Sequence, residues 1–467
     1  MNVHLVVLSV YSLGLMALGL WYGRRVRGAS DFFVAGRALG PGLIFSTMLA
    51  ANIGAGSTVG ATSIGYASGV GAWWWVGSAA AGSLILAFWV GPAMRRVAAA
   101  HDLRTVGDYL EFRYDATVRG IIAALLWIGT IFILAGQLVA IGRILETVAR
   151  IPAVAGCAIG TVVILVYFAA GGLLTSARVN VVQLVVKLAG FAVALPIAVG
   201  AIGGWSALSS VRPDDHSYWS FWSPGPPGVM YLALLGPSFF LSPGLLQKVY
   251  GARDDRAVRV GVGLNALGLF LYAGVPAVLG IVARQLFPEL GATPDAALPM
   301  LLTHALPLFV GAVGLAAVFS AEISASDAVL FMLTTSLSQD LYKRFVNPGA
   351  TDSQLLRISR WTSGVAAGVA FALAIVLGSV VDALTIFYTL LTVVLFVPIV
   401  GGLFVARTDG RAVRASIGAG VAAMLVLQSM SGGRGWSFVT PALAGLLAAI
   451  GAGMLSLRTR SPKGQIT

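Results

Sequence analysis

AANIGAGST, residues 50–58, sits in the middle of an apolar run that extends from 41 to 69. LGPSFFLSPG, residues 235–244, sits in another, from 228 to 247. Glycines and small polar residues interrupt the first run, and two prolines interrupt the second. Proline deletes a helix hydrogen bond and glycine lets the backbone turn, so both runs should free carbonyl oxygens at mid-depth. In a bilayer such backbone persists only where it lines a cavity or binds something. The two breaks lie five runs apart. That offset places them at equivalent positions of two five-helix repeats of opposite orientation, the pattern of transporters whose site lies where the halves meet.

Composition supports a membrane setting. The chain has 467 residues, 58% apolar and 10% charged, with mean hydropathy +0.90. Soluble domains carry about 25% charged residues. Thirteen apolar runs fall near 3–23, 41–69, 72–94, 118–147, 152–172, 178–203, 228–247, 258–284, 300–337, 361–381, 384–406, 412–430 and 437–457. The first of them lacks a basic leader and is followed, not preceded, by Arg24 and Arg25, so it reads as a membrane helix with an outside N-terminus. On that topology 24 of the 30 basic residues fall on the cytoplasmic side and five outside, and Lys187 lies within a run. The net charge of +12 therefore reflects topology rather than nucleic-acid binding, and the odd number of runs leaves the C-terminus in the cytoplasm. The single cysteine, Cys157, excludes an internal disulfide.

The ninth run leads into AVFSAEISASDAVLFMLTTSLSQDLYK, residues 317–343, which extends past its end. Acids at membrane depth usually have a function. Ser320, Ala321, Ser324, Asp327 and Ala328 share one helical face, which suits a small dehydrated cation, whereas Glu322 points about 140° away from Asp327.

Three motifs resemble those of the sodium/solute symporter family: SDFFVAGR (30–37), GARD (251–254) and SASD (324–327) with its closing DLYK (340–343). The resemblance covers essentially the whole chain and implies an all-α membrane protein of the leucine-transporter-like fold. A leading helix and loop (1–40) would precede a first five-helix repeat (41–203), an external loop (204–227), a second, inverted repeat (228–406) and two trailing helices with a short tail (407–467). It implies a cation site built from the carbonyls of Ala50, Ile53 and Ala321 and the Ser324 hydroxyl, since hard cations want oxygen ligands. Relatives usually carry a hydroxyl at position 325, where this chain has Ala325, and many begin the sixth run with an aspartate where it has Asn180. Asp327 stands where several relatives place a second-sodium hydroxyl.

Lys187 lies two turns after Asn180 on the same helical face, with Gln183 between them. It is expected to point at the cation region and to pair with Asp327 or Glu322, where a desolvated lysine can cycle its proton; some proteins of the implied fold use such a lysine in place of sodium. The positive end of a half-helix at the first break favours a carboxylate, which makes Asn52, Gly56, Ser57 and Thr58 substrate candidates, joined by Gln137 and by Phe239 and Phe240 at the second break. The absence of an acid or amide at Gly56 and Ser57 argues against a sugar. Trp73, Trp74 and Trp75 read as an aromatic belt, Asp382 as a helix cap, and the aromatic loop 203–228 as a cover for the outer mouth.

No catalytic constellation appears. The expected function is symport of a small organic solute, a carboxylate, coupled to a cation, Na+, by alternating access, the alternatives being a proton-coupled or sodium-independent transporter using Lys187 and Asp327, or a sensor that keeps the fold. Neither a cofactor nor an obligate protein partner is expected, and the location is the cell membrane.

Overall fold

The computed structural model describes residues 3–23, 37–169, 173–212, 214–222, 228–432, 435–436 and 438–458. Residues 30–36 of the first motif and 459–467 of the tail lie outside them. Among the described residues the chain is helical and forms no β-strand. The principal helices are α1 (Val3–Gly23), α2 (Pro41–Asn52), α3 (Ala61–Ser68), α4 (Trp73–Ile85), α5 (Gly91–Ala100), α6 (Val106–Arg113), α7 (Ala116–Ala149), α8 (Ala153–Ala169) and α9 (Leu173–Ala201). They continue with α10 (Tyr231–Leu241), α11 (Pro243–Tyr250), α12 (Asp255–Tyr272), α13 (Gly274–Leu286), α14 (Leu308–Thr335), α15 (Asp352–Leu377), α16 (Val380–Phe396), α17 (Gly410–Met430) and α18 (Pro441–Arg458). Side-chain caps from Asp115, Asp254, Thr351, Ser379 and Asp409 mark where α7, α12, α15, α16 and α17 begin. Ser379, rather than Asp382, caps α16, and Asp382 lies in its first turn.

Among the described residues eight helical stretches are long and apolar enough to cross a membrane, accompanied by shorter apolar helices at Val3–Gly19, Ala153–Phe168 and Pro441–Ser456. Length and hydropathy thus return fewer crossings than the thirteen apolar runs. The interrupted spans account for part of the difference: α2, α10 and α11 hold only 12, 11 and 8 residues.

Both interruptions are present. After Asn52 the backbone leaves the helix at Ile53 (φ −88°, ψ 89°) and resumes as a wide turn at Gly56–Gly60 that runs into α3. Glycine is required at 54, because a Cβ there would lie 2.4 Å from the Ala325 Cβ of α14. The second interruption is narrower than the expected 235–244 stretch. It falls at Ser242 (φ −54°, ψ 121°), since the residue before a proline is pushed out of the helical region and Pro243 is preset to open α11. Pro237 stays inside α10, where the Ser238 and Thr392 hydroxyls bond to Leu234 O at 2.7 and 3.0 Å and steady the weakened ladder.

The packing pairs repeat under an offset of five apolar runs. α2 packs on α12 as α10 packs on α4, and α7 packs on α16 as α14 packs on α9. The two breaks therefore face each other near the middle of the helix pile. At the C-terminal end of α3 Tyr218 donates to Gly65 O at 3.0 Å, and at the start of α4 Trp74 Nε1 donates to Phe221 O at 2.8 Å.

Candidate substrate and cation site

The last turn of α2 ends in carbonyls that no helix continues, and the negative end of its dipole gathers there. Lys187, on α9 and 0% exposed, puts its ammonium against them. Its Nζ donates to Ala50 O, to Ile53 O at 3.0 Å, and to the Ser324 hydroxyl of α14. Ser324 Oγ in turn lies 2.8 Å from Ala50 O and 3.2 Å from Ala321 O. Three of the four oxygens expected around a cation hold an ammonium group instead, and the fourth, Ala321 O, meets the Ser324 hydroxyl. The expected ion pair is absent. Among the described residues Lys187 Nζ has no carboxylate within ion-pair distance, and Glu322 acts on it only through a longer-range field. Three protons already have three oxygens, which is why no acid is drawn in.

Glu322 instead turns to the first break. Its Oε1 lies 2.9 Å from Thr58 Oγ1, which is also 2.9 Å from Gly54 O, and its Oε2 has no partner among the described residues. Thr58 has one proton for two acceptors. If that proton goes to Gly54 O, the Glu322 carboxyl must carry its own. Asp327 is buried one turn beyond Ser324 and makes no contact with the ammonium; its field reaches Lys248 and Tyr167. Asn180 is also away from the cage, donating to Thr47 Oγ1 at 3.0 Å.

Beside the cage lies a cavity enclosing about 790 Å3 of space out to its mouth, between the two breaks and helices α4, α7, α14 and α16. Of the substrate candidates, Asn52, Gly56, Ser57, Gln137 and Phe239 line it. Thr58 and Phe240 do not: Thr58 faces Glu322, and Phe240 packs edge-on against Phe396 at 6.2 Å. Gln137 both faces the cavity and joins helices, because its Oε1 accepts the Ala55 N–H at 2.9 Å. Trp75 and Lys248 are among the lining residues that escaped the sequence reading. Trp75, read with its neighbours as belt, is buried in the wall, 4.9 Å from the Tyr231 ring and 6.2 Å from the Tyr388 ring. Lys248, counted among the cytoplasmic basic residues, also lies in the wall. Its only sequence signal is a place one helical turn past a proline break.

The profile of the sodium:solute symporter family matches residues 32–418. The chain belongs to that family. Members of the sodium:solute symporter family are membrane transporters, not enzymes. The chain is 25% identical over 431 residues to the sodium/glucose cotransporter of Vibrio parahaemolyticus, covering 81% of this chain and 76% of that one. It is 24% identical to the sodium/proline symporter of Staphylococcus aureus over 79% of this chain and 74% of the relative. It is 26% identical to the human sodium/iodide cotransporter over 72% of this chain, and spans just over half of that longer relative, 55%. Among solved structures, a Na+-coupled sialic acid symporter in a substrate-bound outward-open state superposes with TM-score 0.82 at 17% identity, covering 100% and 99% of the two chains. Mhp1, a nucleobase-cation-symport-1 family transporter, superposes with TM-score 0.60 at 16% identity, covering 93% and 96%. These likenesses give this symporter-family chain its fold.

Proposed function

We propose that this chain is a secondary transporter that moves a small organic solute, a carboxylate, across the cell membrane by alternating access, with the Lys187 ammonium standing in the oxygen cage where the family resemblance puts sodium. The observation that carries this reading is the set of bonds from Lys187 Nζ to Ala50 O, Ile53 O and Ser324 Oγ. A protonated lysine ties the broken end of α2 to α9 and α14. Loss of its proton removes the charge and one donor, and α2 is then free to shift against α14. The coupling ion in this scheme is a proton, with Glu322 and Thr58 beside the cage as its second seat. Asn52, Gly56, Ser57, Gln137 and Phe239 surround the solute. The thirteen apolar runs form thirteen crossings with the N-terminus outside, and the repeats span 41–203 and 228–406. The solutes named for the relatives differ in chemical class and point to none in particular.

Sodium coupling is the second reading, favoured by membership in a family of sodium symporters. It requires that Na+ displace the lysine from the cage or bind elsewhere. Proteoliposomes with pH and sodium gradients imposed separately distinguish the two. We expect a pH gradient to drive concentrative uptake without sodium, and Lys187→Met to retain downhill exchange while losing concentration. Uptake that requires a sodium gradient in both proteins would overturn the lysine reading.

A further inference from the structure

Among the described residues Lys248 is the one charged side chain in the cavity wall. It stands on α11 past the Ser242 break and is 4% exposed. Among the described residues its ammonium makes no hydrogen bond and no ion pair, and Asp327, which does not line the cavity, reaches it only by its field. A buried ammonium left without oxygen partners is strongly unfavourable, so the group fits a wall that a ligand completes. Two further donors in the same wall have no partner among the described residues, Trp75 Nε1 and Gln137 Nε2. The Ala55 N–H holds the Gln137 oxygen at 2.9 Å, which leaves the amide nitrogen for the cavity. Much of the remaining wall is apolar or aromatic, including Phe239, Phe387 and Tyr388.

We propose that Lys248 anchors the carboxylate of the transported solute, and that the site selects a compact monocarboxylate with an apolar or aromatic body. This rests on reading the cavity as the solute's seat. A zwitterionic amino acid would find no lining acid for its ammonium group. A dicarboxylate would leave its second charge against an apolar wall. A cation would meet the lysine directly.

The test uses purified full-length protein in nanodiscs with no gradient. Thermal stabilisation and affinity are measured for propionate, benzoate, phenylacetate and 4-phenylbutyrate, each beside its primary amide. At least one acid should stabilise the unaltered protein while its amide does not. Lys248→Met should weaken that acid about 10- to 100-fold, as loss of a charge-assisted bond implies, and Lys248→Arg should keep most of the affinity. Three results overturn the proposal: no acid in the panel binding the unaltered protein, an amide binding as well as its acid, or Lys248→Met leaving affinity unchanged. The acid–amide contrast needs no variant, so misfolding of Lys248→Met cannot mask it. Sodium-dependent uptake with the acid preference intact would sink the Lys187 reading alone, and sodium-independent transport of a neutral solute would sink this one alone.

Discussion

An ammonium group donates three hydrogen bonds and accepts none, and Lys187 meets three oxygens. Sodium prefers a fuller oxygen shell, so a chain that fills the cage with lysine has no use for a hydroxyl at position 325, and Ala325 instead packs against Gly54. Lysine and alanine are thus two halves of one substitution. The argument can be run backwards. Lys187→Ala combined with Ala325→Ser should reopen the cage to a metal ion, and the double variant should gain thermal stability with Na+ over K+, about 2.7 kcal/mol at a hundredfold excess over Kd. Equal melting curves in the two salts would show that the cage does not form a sodium site. Lys187 was legible in the sequence because it lies well inside an apolar run, far from either end. Lys248 was not, because a lysine at the end of such a run has an ordinary topological explanation. Only the burial of its head beside a helix break separates the two roles.

At the scale of helices, the glycines and prolines at 50–58 and 235–244 marked both breaks, because the backbone consequences of those residues are local. What sequence could not place was which carbonyls stay free: hydroxyls from α10 and α16 steady the helix around Pro237, and that compensation crosses between runs far apart in the chain. Close helix crossings were likewise visible only as a high glycine content. At the α3–α13 crossing a Cβ on Gly280 would lie 2.3 Å from Thr62 O, and one on Gly65 2.6 Å from Ala277 O. These neighbours are backbone and cannot move aside as a side chain can. Gly280→Ala should therefore cost about 1–3 kcal/mol, read as a lowered melting temperature in detergent. Gly263→Ala, whose Cβ meets only Phe88 at 3.7 Å, serves as the control and should leave melting unchanged. Similar melting of the two variants would mean that the crossing is looser than its geometry indicates.

For the molecule as a whole, the proposed alternating access needs a closure that can open, and one cluster has that form. Arg119, at the start of α7 and buried, reaches Asp340 at 2.8 Å, Asp108 at 2.8 Å and Glu111 at 3.0 Å. Arg344 adds a 2.6 Å pair to Glu111, and Thr105 donates to Asp340 at 2.6 Å. Together they tie α6, α7 and the helical extension after α14 on the face that the basic-residue count assigns to the cytoplasm. Beneath the cluster lies a second cavity of about 490 Å3, and Met332 lines both it and the central cavity. Removing one member of a buried pair leaves the others uncompensated, a loss of about 3–5 kcal/mol. Arg119→Ala should therefore destabilise the closed arrangement and favour one open on that side. Cys157 is buried, so a cysteine introduced as Met332→Cys can be followed with little background. Its labelling by a water-soluble maleimide should accelerate at least about tenfold in the Arg119→Ala background, the factor that 1.4 kcal/mol of shifted equilibrium supplies. Arg119→Lys, which keeps the charge but not the fork of donors, should fall between the two. An unchanged rate in Arg119→Ala would mean that the cluster holds the fold and does not gate the path.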